Sequence, residues 1–392
     1  MIIYNIYYNE LKMNLILFLI ISLLTVFGIS QSKYLSLEMI SRDDDSFIEV
    51  LVYIGTPSQG IELKINTLIP YSYIQYRIKE SISNRQIPSN DTIMVNYKYE
   101  IEPKFSDILS IDNYQLDNFT FYFSSSGLTH TWEQGLGFGL QNIDPSLSIV
   151  DLLFDNKAIS RKKIYFIPRG IQGNEKKGKF IIGDNPDIKE SQYQYKGIYK
   201  IKDFSLGWRV KLSSIKIGNK VVEYNKYFII SSAQYFAILS RKVFNLIYES
   251  IFQMIEGKDC YRVYGLSRDR IRCKETILND LDSFSFSFDN EMTIEVSMKR
   301  LFVCPEEENL CDSLFSGDNN DEDTNEFGTN FIKLFTLSGF DFTEQEISLL
   351  SNDERVKIYQ PNNYKNVIWI ILSNIILTLL GLCNLIVMYI KK

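Results

Sequence analysis

Short apolar stretches with period-two alternation occupy most of residues 33–350, and they constrain the fold more than any other feature of the sequence. Gly, Asn, Asp and Pro residues separate them. Alternation puts every second side chain on one face of a strand, as a half-buried β-strand requires. Many such strands with turn residues between them predict a mainly β fold. The clearest stretches are 47–53, 61–65, 119–123, 163–167, 179–182 and 284–288.

Two segments depart from this pattern and predict helices. In residues 240–254 the apolar residues recur at i+3 and i+4 spacing, which is the period of an amphipathic helix. A weaker segment of the same kind covers residues 147–154. The apolar positions of the first helix are Val243, Phe244, Ile247, Ile251 and Met254.

Length and charge narrow the classes of function. The chain has 392 residues, which is enough for two domains, and 45% of them are apolar. Its net charge of −6 argues against binding to a phosphate backbone, so no nucleic-acid partner is expected. The cysteines lack zinc spacing and His130 is the single histidine, so the sequence predicts no metal site and no cofactor.

The N-terminus has the pattern of a targeting segment. An apolar run from Leu15 to Gly28 follows Lys12, and small residues precede a cleavage site before Gln31. We therefore predict a signal peptide over residues 1–32, with Met13 as a second candidate start. An uncleaved membrane anchor is the alternative.

The C-terminus predicts a membrane attachment. Residues 367–390 are apolar except for a few Ser, Asn and Thr and carry no charge, and at about 1.5 Å per residue they are long enough to cross a bilayer. A polar stalk over 351–366 precedes them, and Lys391 and Lys392 follow, which favours a single-pass type I protein of a secretory or cell-surface membrane. A GPI anchor attached at 351–353 is the alternative.

Cysteines and sequons agree with a secretory route. Four cysteines precede the predicted span, and four cysteines allow three disulfide pairings, between which spacing does not choose. Asn90 and Asn118 each begin a glycosylation sequon. The four cysteines are Cys260, Cys273, Cys304 and Cys311.

Six segments in the middle of the chain carry a resemblance to a known family. Residues 52–59 read VYIGTPSQ and run into a strand at 61–65, and residues 133–139 read EQGLGFG. In their order and spacing the segments resemble the pepsin-like aspartic proteases. The resemblance implies a mainly β, bilobal fold, with an N-terminal lobe at 33–195 and a C-terminal lobe at 196–350. The six segments are 52–65, 133–139, 148–168, 178–183, 208–218 and 328–341.

The two positions that match the family's catalytic aspartates do not hold aspartate. Asn66 matches the first position and Ser231 the second, and Leu68 replaces the glycine of the first turn. Such enzymes need two carboxylates that share a proton, one as base and the other as acid. An amide and an unassisted hydroxyl cannot fill these roles, so we predict a pseudoprotease. An active endopeptidase with atypical site residues is the alternative.

The resemblance also implies features outside these two turns. Tyr97 corresponds to the tyrosine of the flap that closes over the substrate. The family's second-lobe disulfide favours Cys273 bonded to Cys304 or Cys311. The cleft between the lobes implies a peptide or protein ligand held by backbone hydrogen bonds.

Overall fold

A computed structural model describes most of the chain between residues 33 and 361. The predicted signal peptide (1–32) and the predicted membrane span (367–390) lie outside the described residues. These are 33–40, 48–74, 81–89, 92–95, 98–123, 135–140, 145–168, 178–203, 207–255, 259–265, 268–279, 281–304, 309–318 and 325–361.

Strands make up most of the described chain, as the alternating stretches predicted. In chain order they are β1 (Tyr34–Ile40), β2 (Glu49–Ile54), β3 (Gln59–Asn66), β4 (Ser72–Ile74), β5 (Arg85–Ile87), β6 (Thr92–Val95), β7 (Lys98–Ile101), β8 (Lys104–Ile111), β9 (Tyr114–Phe123), β10 (Leu136–Gly137), β11 (Lys163–Ile167), β12 (Lys179–Gly183), β13 (Tyr195–Lys200), β14 (Arg209–Ile217), β15 (Lys220–Ile230), β16 (Ala237–Leu239), β17 (Cys260–Val263), β18 (Arg268–Lys274), β19 (Phe284–Phe288), β20 (Thr293–Val296), β21 (Phe302–Val303), β22 (Leu310–Asp318), β23 (Glu326–Phe327), β24 (Leu337–Asp341), β25 (Glu346–Ser351) and β26 (Val356–Tyr359).

Helices are short within the described chain. The predicted helix at 240–254 is confirmed, as is the weaker one at 147–154. The α-helices are α1 (Ile149–Asp155), α2 (Arg241–Met254) and α3 (Thr329–Ile332), and the 3-10 helices are Pro145–Leu147, Glu190–Gln192, Glu275–Ile277 and Met298–Leu301.

Two large sheets define two lobes. Thirteen of the described strands form the first sheet, in the order β13-β25-β24-β11-β12-β1-β2-β8-β9-β4, with β3, β5 and β10 paired to its side. Eleven form the second, in the order β17-β18-β22-β16-β23-β15-β14-β19-β20-β26, with β21 paired to β22. The alternating apolar side chains of both sheets face inward and are buried.

The lobes share a continuous apolar core. Strands β24 and β25, from late in the chain, join β11 and β12 in the first sheet, so Lys163 pairs with Asp341 across the two halves. Trp208 is fully buried at this junction. Its indole Nε1 donates to the carbonyl oxygen of Phe138 at 2.9 Å, and its ring contacts Phe340 edge-on. The packing fixes one lobe against the other beneath the candidate site.

Helix α2 packs one face against the strands of the second lobe. Its apolar side chains Val243, Phe244, Ile247 and Ile251 are buried, as the helical spacing predicted. Gly317 of β22 faces this helix, and a Cβ there would stand 2.7 Å from the ring of Phe244. Only a residue without a side chain lets the ring approach the strand so closely.

Two parts of the sequence-based architecture are corrected. The predicted fold class included a C-terminal membrane helix, but in the described part of the chain no helix is long and apolar enough to cross a membrane; the longest, α2, has 14 residues. The predicted stalk at 351–366 contains β26, which pairs with β20. Val356 and Ile358 of that strand are buried. Their burial explains why this polar-looking segment joins the second lobe.

Candidate functional site

Asn66 and Ser231 lie at equivalent points of the two lobes. Asn66 is the last residue of β3, and Ser231 follows directly after β15. Each of these strands ends beside a short parallel strand, β10 for β3 and β23 for β15. The backbone N–H of Phe138 donates to the carbonyl oxygen of Asn66 at 2.7 Å, and that of Ser231 donates to the carbonyl oxygen of Phe327 at 2.9 Å.

Four hydrogen bonds join the two turns, and each has a counterpart in the other lobe. The backbone N–H of Thr67 donates to Ser232 Oγ at 3.0 Å, and that of Ser232 donates to Thr67 Oγ1 at 2.9 Å. Thr67 Oγ1 donates to the carbonyl oxygen of Ile230 at 3.1 Å, while Ser232 Oγ donates to that of Ile65 at 2.5 Å. We call these four bonds the hydroxyl bridge. Since Thr67 and Ser232 correspond, Asn66 and Ser231 correspond as the residues before them.

Both residues are held by backbone donors of their own turns. Asn66 Oδ1 accepts from the N–H groups of Leu68 at 2.9 Å and Ile69 at 3.3 Å. Ser231 Oγ accepts from the N–H of Ala233 at 3.3 Å. Asn66 and Ser231 are fully buried. Neither side chain ionises at ordinary pH, so the pair cannot divide the roles of acid and base.

An apolar cluster surrounds the two turns. It contains Leu68 and Ile69 after the first position and Ala233 after the second, and Ile229 packs against it. We call it the site cluster. No Asp or Glu occurs in 66–71 or 231–236. The remaining members of the site cluster are Tyr71, Tyr73, Tyr122 and Leu147.

Two similar lobes are joined at one centre by the paired turns, their parallel strands and the hydroxyl bridge. A comparison with known proteins identifies the family that has this architecture. Residues 103–351 match the family model of the eukaryotic aspartyl proteases. This chain belongs to that family. The matched range includes Ser231 and begins after Asn66. No curated protein matches the chain significantly in a sequence search.

Solved structures share the fold of this aspartyl protease family member at low sequence identity. An aspartic proteinase from Irpex lacteus is 14% identical, with a TM-score of 0.62 over 81% of this chain and 97% of that chain. Conglutin gamma, a basic 7S globulin from lupine seeds, is 12% identical, with a TM-score of 0.66 over 82% and 96%. Basic 7S globulin from soybean is 12% identical, with a TM-score of 0.65 over 82% and 98%.

The other site residues predicted from the sequence divide into two groups. Tyr97 and Asn90 lie outside the described residues, although β6 and β7 on either side of Tyr97 pair with each other. Asn118 is exposed on β9, where its side chain is open to solvent. Within the described ranges no three His, Cys, Asp or Glu side chains could together hold a metal ion.

The four predicted disulfide cysteines form two disulfides, Cys260–Cys273 and Cys304–Cys311. The preference for Cys273 bonded to Cys304 or Cys311 was therefore wrong. Cys273 lies directly opposite Cys260 in the β17–β18 pair, and on its other side opposite Cys311. The partner of Cys273 thus depends on neighbouring strands, which sequence spacing does not reveal.

Sequence reasoning missed the pairing of Thr67 with Ser232. The signal was present, because a hydroxyl residue follows each site position: Thr67 follows Asn66, and Ser232 follows Ser231. Arg209, next to Trp208, was also missed.

Proposed function

We propose that this aspartyl protease family member is a pseudoprotease that binds peptides in the cleft between its lobes without cleaving them. The observation that carries the proposal is the pair of equivalent positions before the hydroxyl bridge, which hold Asn66 and Ser231. In the alternative, an active endopeptidase, these residues would have to replace a carboxylate pair.

The chemistry of peptide hydrolysis supports the proposal. One carboxylate must remove a proton from the attacking water while a protonated carboxyl donates to the peptide carbonyl. The side-chain oxygens of Asn66 and Ser231 instead accept hydrogen bonds from their own turns. Loss of one member of such a unit typically lowers the rate by several powers of ten. We therefore expect no measurable cleavage.

Retention of the scaffold supports a binding role. Proteins with this fold include two that are named basic 7S globulins as well as an aspartic proteinase, so the fold is not confined to proteins named as proteinases. The hydroxyl bridge joins the two lobes beside the candidate site, where the resemblance to the pepsin-like proteases implies a cleft. An extended peptide in such a groove is held by backbone hydrogen bonds, and side-chain pockets add selectivity.

The compartment that we propose is the secretory pathway or the cell surface, as predicted from the sequence. Two disulfides support it, since such bonds persist in oxidising compartments. The exposed sequon residue Asn118 is open to glycosylation there.

A peptide-retention experiment tests the function. The full chain is incubated with a mixed peptide library at pH 5 and pH 7, and retained peptides are eluted and sequenced by mass spectrometry. We expect a subset of the peptides to be retained and recovered intact. Retained peptides that return cleaved would establish an enzyme, and a library that passes without retention would overturn the binding role.

A further inference from the structure

One face of the β14–β15 strand pair combines two cations with an aromatic ring and an apolar side chain. Arg209 pairs with Ile229, and Lys211 pairs with Tyr227. The intervening Val210 and Phe228 point into the core and are buried. The four paired residues therefore share the outward face of the sheet, because alternate side chains of a strand point to the same side.

This outward face adjoins the replaced catalytic centre. Ile229 packs against the site cluster, which contains Leu68 of the first lobe. It stands two residues before Ser231 in the chain. Its cross-strand neighbour Arg209 is thus placed beside the centre, on the second-lobe side.

The guanidinium of Arg209 has a hydrogen-bond donor without an acceptor among the described residues. Its Nε is buried and has no hydrogen-bond partner in the described part of the chain. Burial lowers the pKa of Arg209, and the charge of Asp203 only partly offsets that effect. A buried N–H without an acceptor is unfavourable, so Arg209 would gain from a carboxylate that its guanidinium can reach.

Lys211 and Tyr227 extend the same cationic surface. The guanidinium carbon of Arg209 and the Nζ of Lys211 each lie 5.9 Å from the centroid of the Tyr227 ring. Cations at this distance are attracted to the face of an aromatic ring, which restrains both side chains. Two restrained cations beside an apolar site cluster form a surface that suits a carboxylate attached to an apolar ligand.

We propose that Arg209, assisted by Lys211, binds a carboxylate of the peptide held in the cleft, either an acidic side chain or a free C-terminus. This inference deepens the proposed function and rests on it. Arg favours such ligands because its guanidinium can form two parallel hydrogen bonds to a carboxylate. The ligand would be a peptide that is apolar next to the site cluster and acidic next to Arg209.

Matched peptides and small carboxylates test the assignment separately. Peptides retained by the full chain are resynthesised with each Glu changed to Gln, and with a free or an amidated C-terminus. N-acetylglutamate and N-acetylglutamine are titrated calorimetrically in parallel. The variants are Arg209→Gln, Arg209→Lys, and Lys216→Gln as a control on the exposed far end of the same strand. Their unfolding midpoints are measured to exclude loss of fold.

We expect the acidic form to bind about tenfold or more tightly than the neutral form. Arg209→Gln should abolish this preference, Arg209→Lys should keep part of it, and Lys216→Gln should not change it. A preference lost on amidation identifies the C-terminus, and one lost on Glu→Gln identifies a side chain.

The remaining outcomes separate the two proposals. Peptides that bind without an acidic preference, or with one that survives Arg209→Gln, overturn the carboxylate site and leave peptide binding standing. If no peptide binds but N-acetylglutamate binds in an Arg209-dependent manner, the carboxylate site stands and the peptide function fails. If neither probe binds, both proposals are wrong.

Discussion

Thr67 and Ser232 join the two lobes through their hydroxyl groups. Asn66 and Ser231, one residue earlier in each turn, cannot supply the acid and base of peptide hydrolysis. The first pair reaches across the lobes, and each hydroxyl bonds to a backbone carbonyl of the opposite lobe. The second pair accepts hydrogen bonds within its own turn. Two adjacent positions in each lobe therefore serve separable purposes: one holds the lobes together, and the other would carry the catalytic group.

The largest effect is expected from breaking the hydroxyl bridge. Ser232→Ala removes the acceptor for the Thr67 N–H and the donor to the Ile65 carbonyl, both fully buried. Each unsatisfied buried group costs about 1–3 kcal/mol, so we expect the two to lower the free energy of unfolding by about 2–6 kcal/mol. Urea denaturation measures it, with Ser191→Ala at an exposed position as the control. Equal stability of the two variants would mean that the bridge does not hold the lobes.

A smaller effect is expected from Asp353, which lies away from both turns and gives the fold a pH dependence that the turns lack. Although burial opposes it, hydrogen bonds from Arg355 and the charges of Arg300 and Arg355 lower the pKa of Asp353. A depressed folded-state pKa contributes stability above the unfolded value near 4, and that stability is lost as the pH falls through the folded-state pKa.

Asp353→Asn tests this assignment. It weakens the hydrogen bonds from the Arg355 backbone N–H, Nε and Nη2, so we expect a loss of about 1–3 kcal/mol at pH 7. Below pH 4 the variant and the natural protein should converge in stability. Denaturation midpoints at pH 3 to 7 provide the comparison. A constant difference across this range would show that Asp353 does not titrate with unfolding.

The smallest effects are expected at the site positions themselves. Asn66→Ser keeps a side-chain oxygen that can accept from the turn's own N–H groups and should cost about 1 kcal/mol, whereas Ser231→Ala removes one long bond and should cost about 1 kcal/mol or less. The same denaturation assay measures both. A cost at either position as large as that of Ser232→Ala would contradict the separation between bridge and site.

The sequence predicted local structure better than contacts between distant strands. Period-two stretches became strands such as β11 and β19, and the i+3, i+4 spacing became α2, because these patterns depend on near neighbours. The pairing of Lys163 with Asp341 depends on two segments far apart in the chain, and no local pattern encodes it. Residues 356–359 likewise form a strand with two buried side chains, although the polar composition of 351–366 had suggested a stalk.

The candidate site was predictable in part. Family-like motifs led to Asn66 and Ser231, and the structure places both before the hydroxyl bridge. No sequence motif pointed to Arg209. Its buried Nε and its cross-strand neighbour Ile229 are properties of the folded chain. The disulfide pairing failed for a similar reason, since Cys273 faces two cysteines on adjacent strands.

The measurement that tests the central claim most directly is a peptide-cleavage assay of the natural full chain from pH 3 to 7, alongside the double variant Asn66→Asp, Ser231→Asp. The account predicts no cleavage by the natural chain at any pH. Cleavage by the double variant that a transition-state mimic blocks would add that only the carboxylates are missing. Cleavage by the natural chain that persists in Asn66→Ala and Ser231→Ala would contradict the account, since the catalytic group would then lie elsewhere.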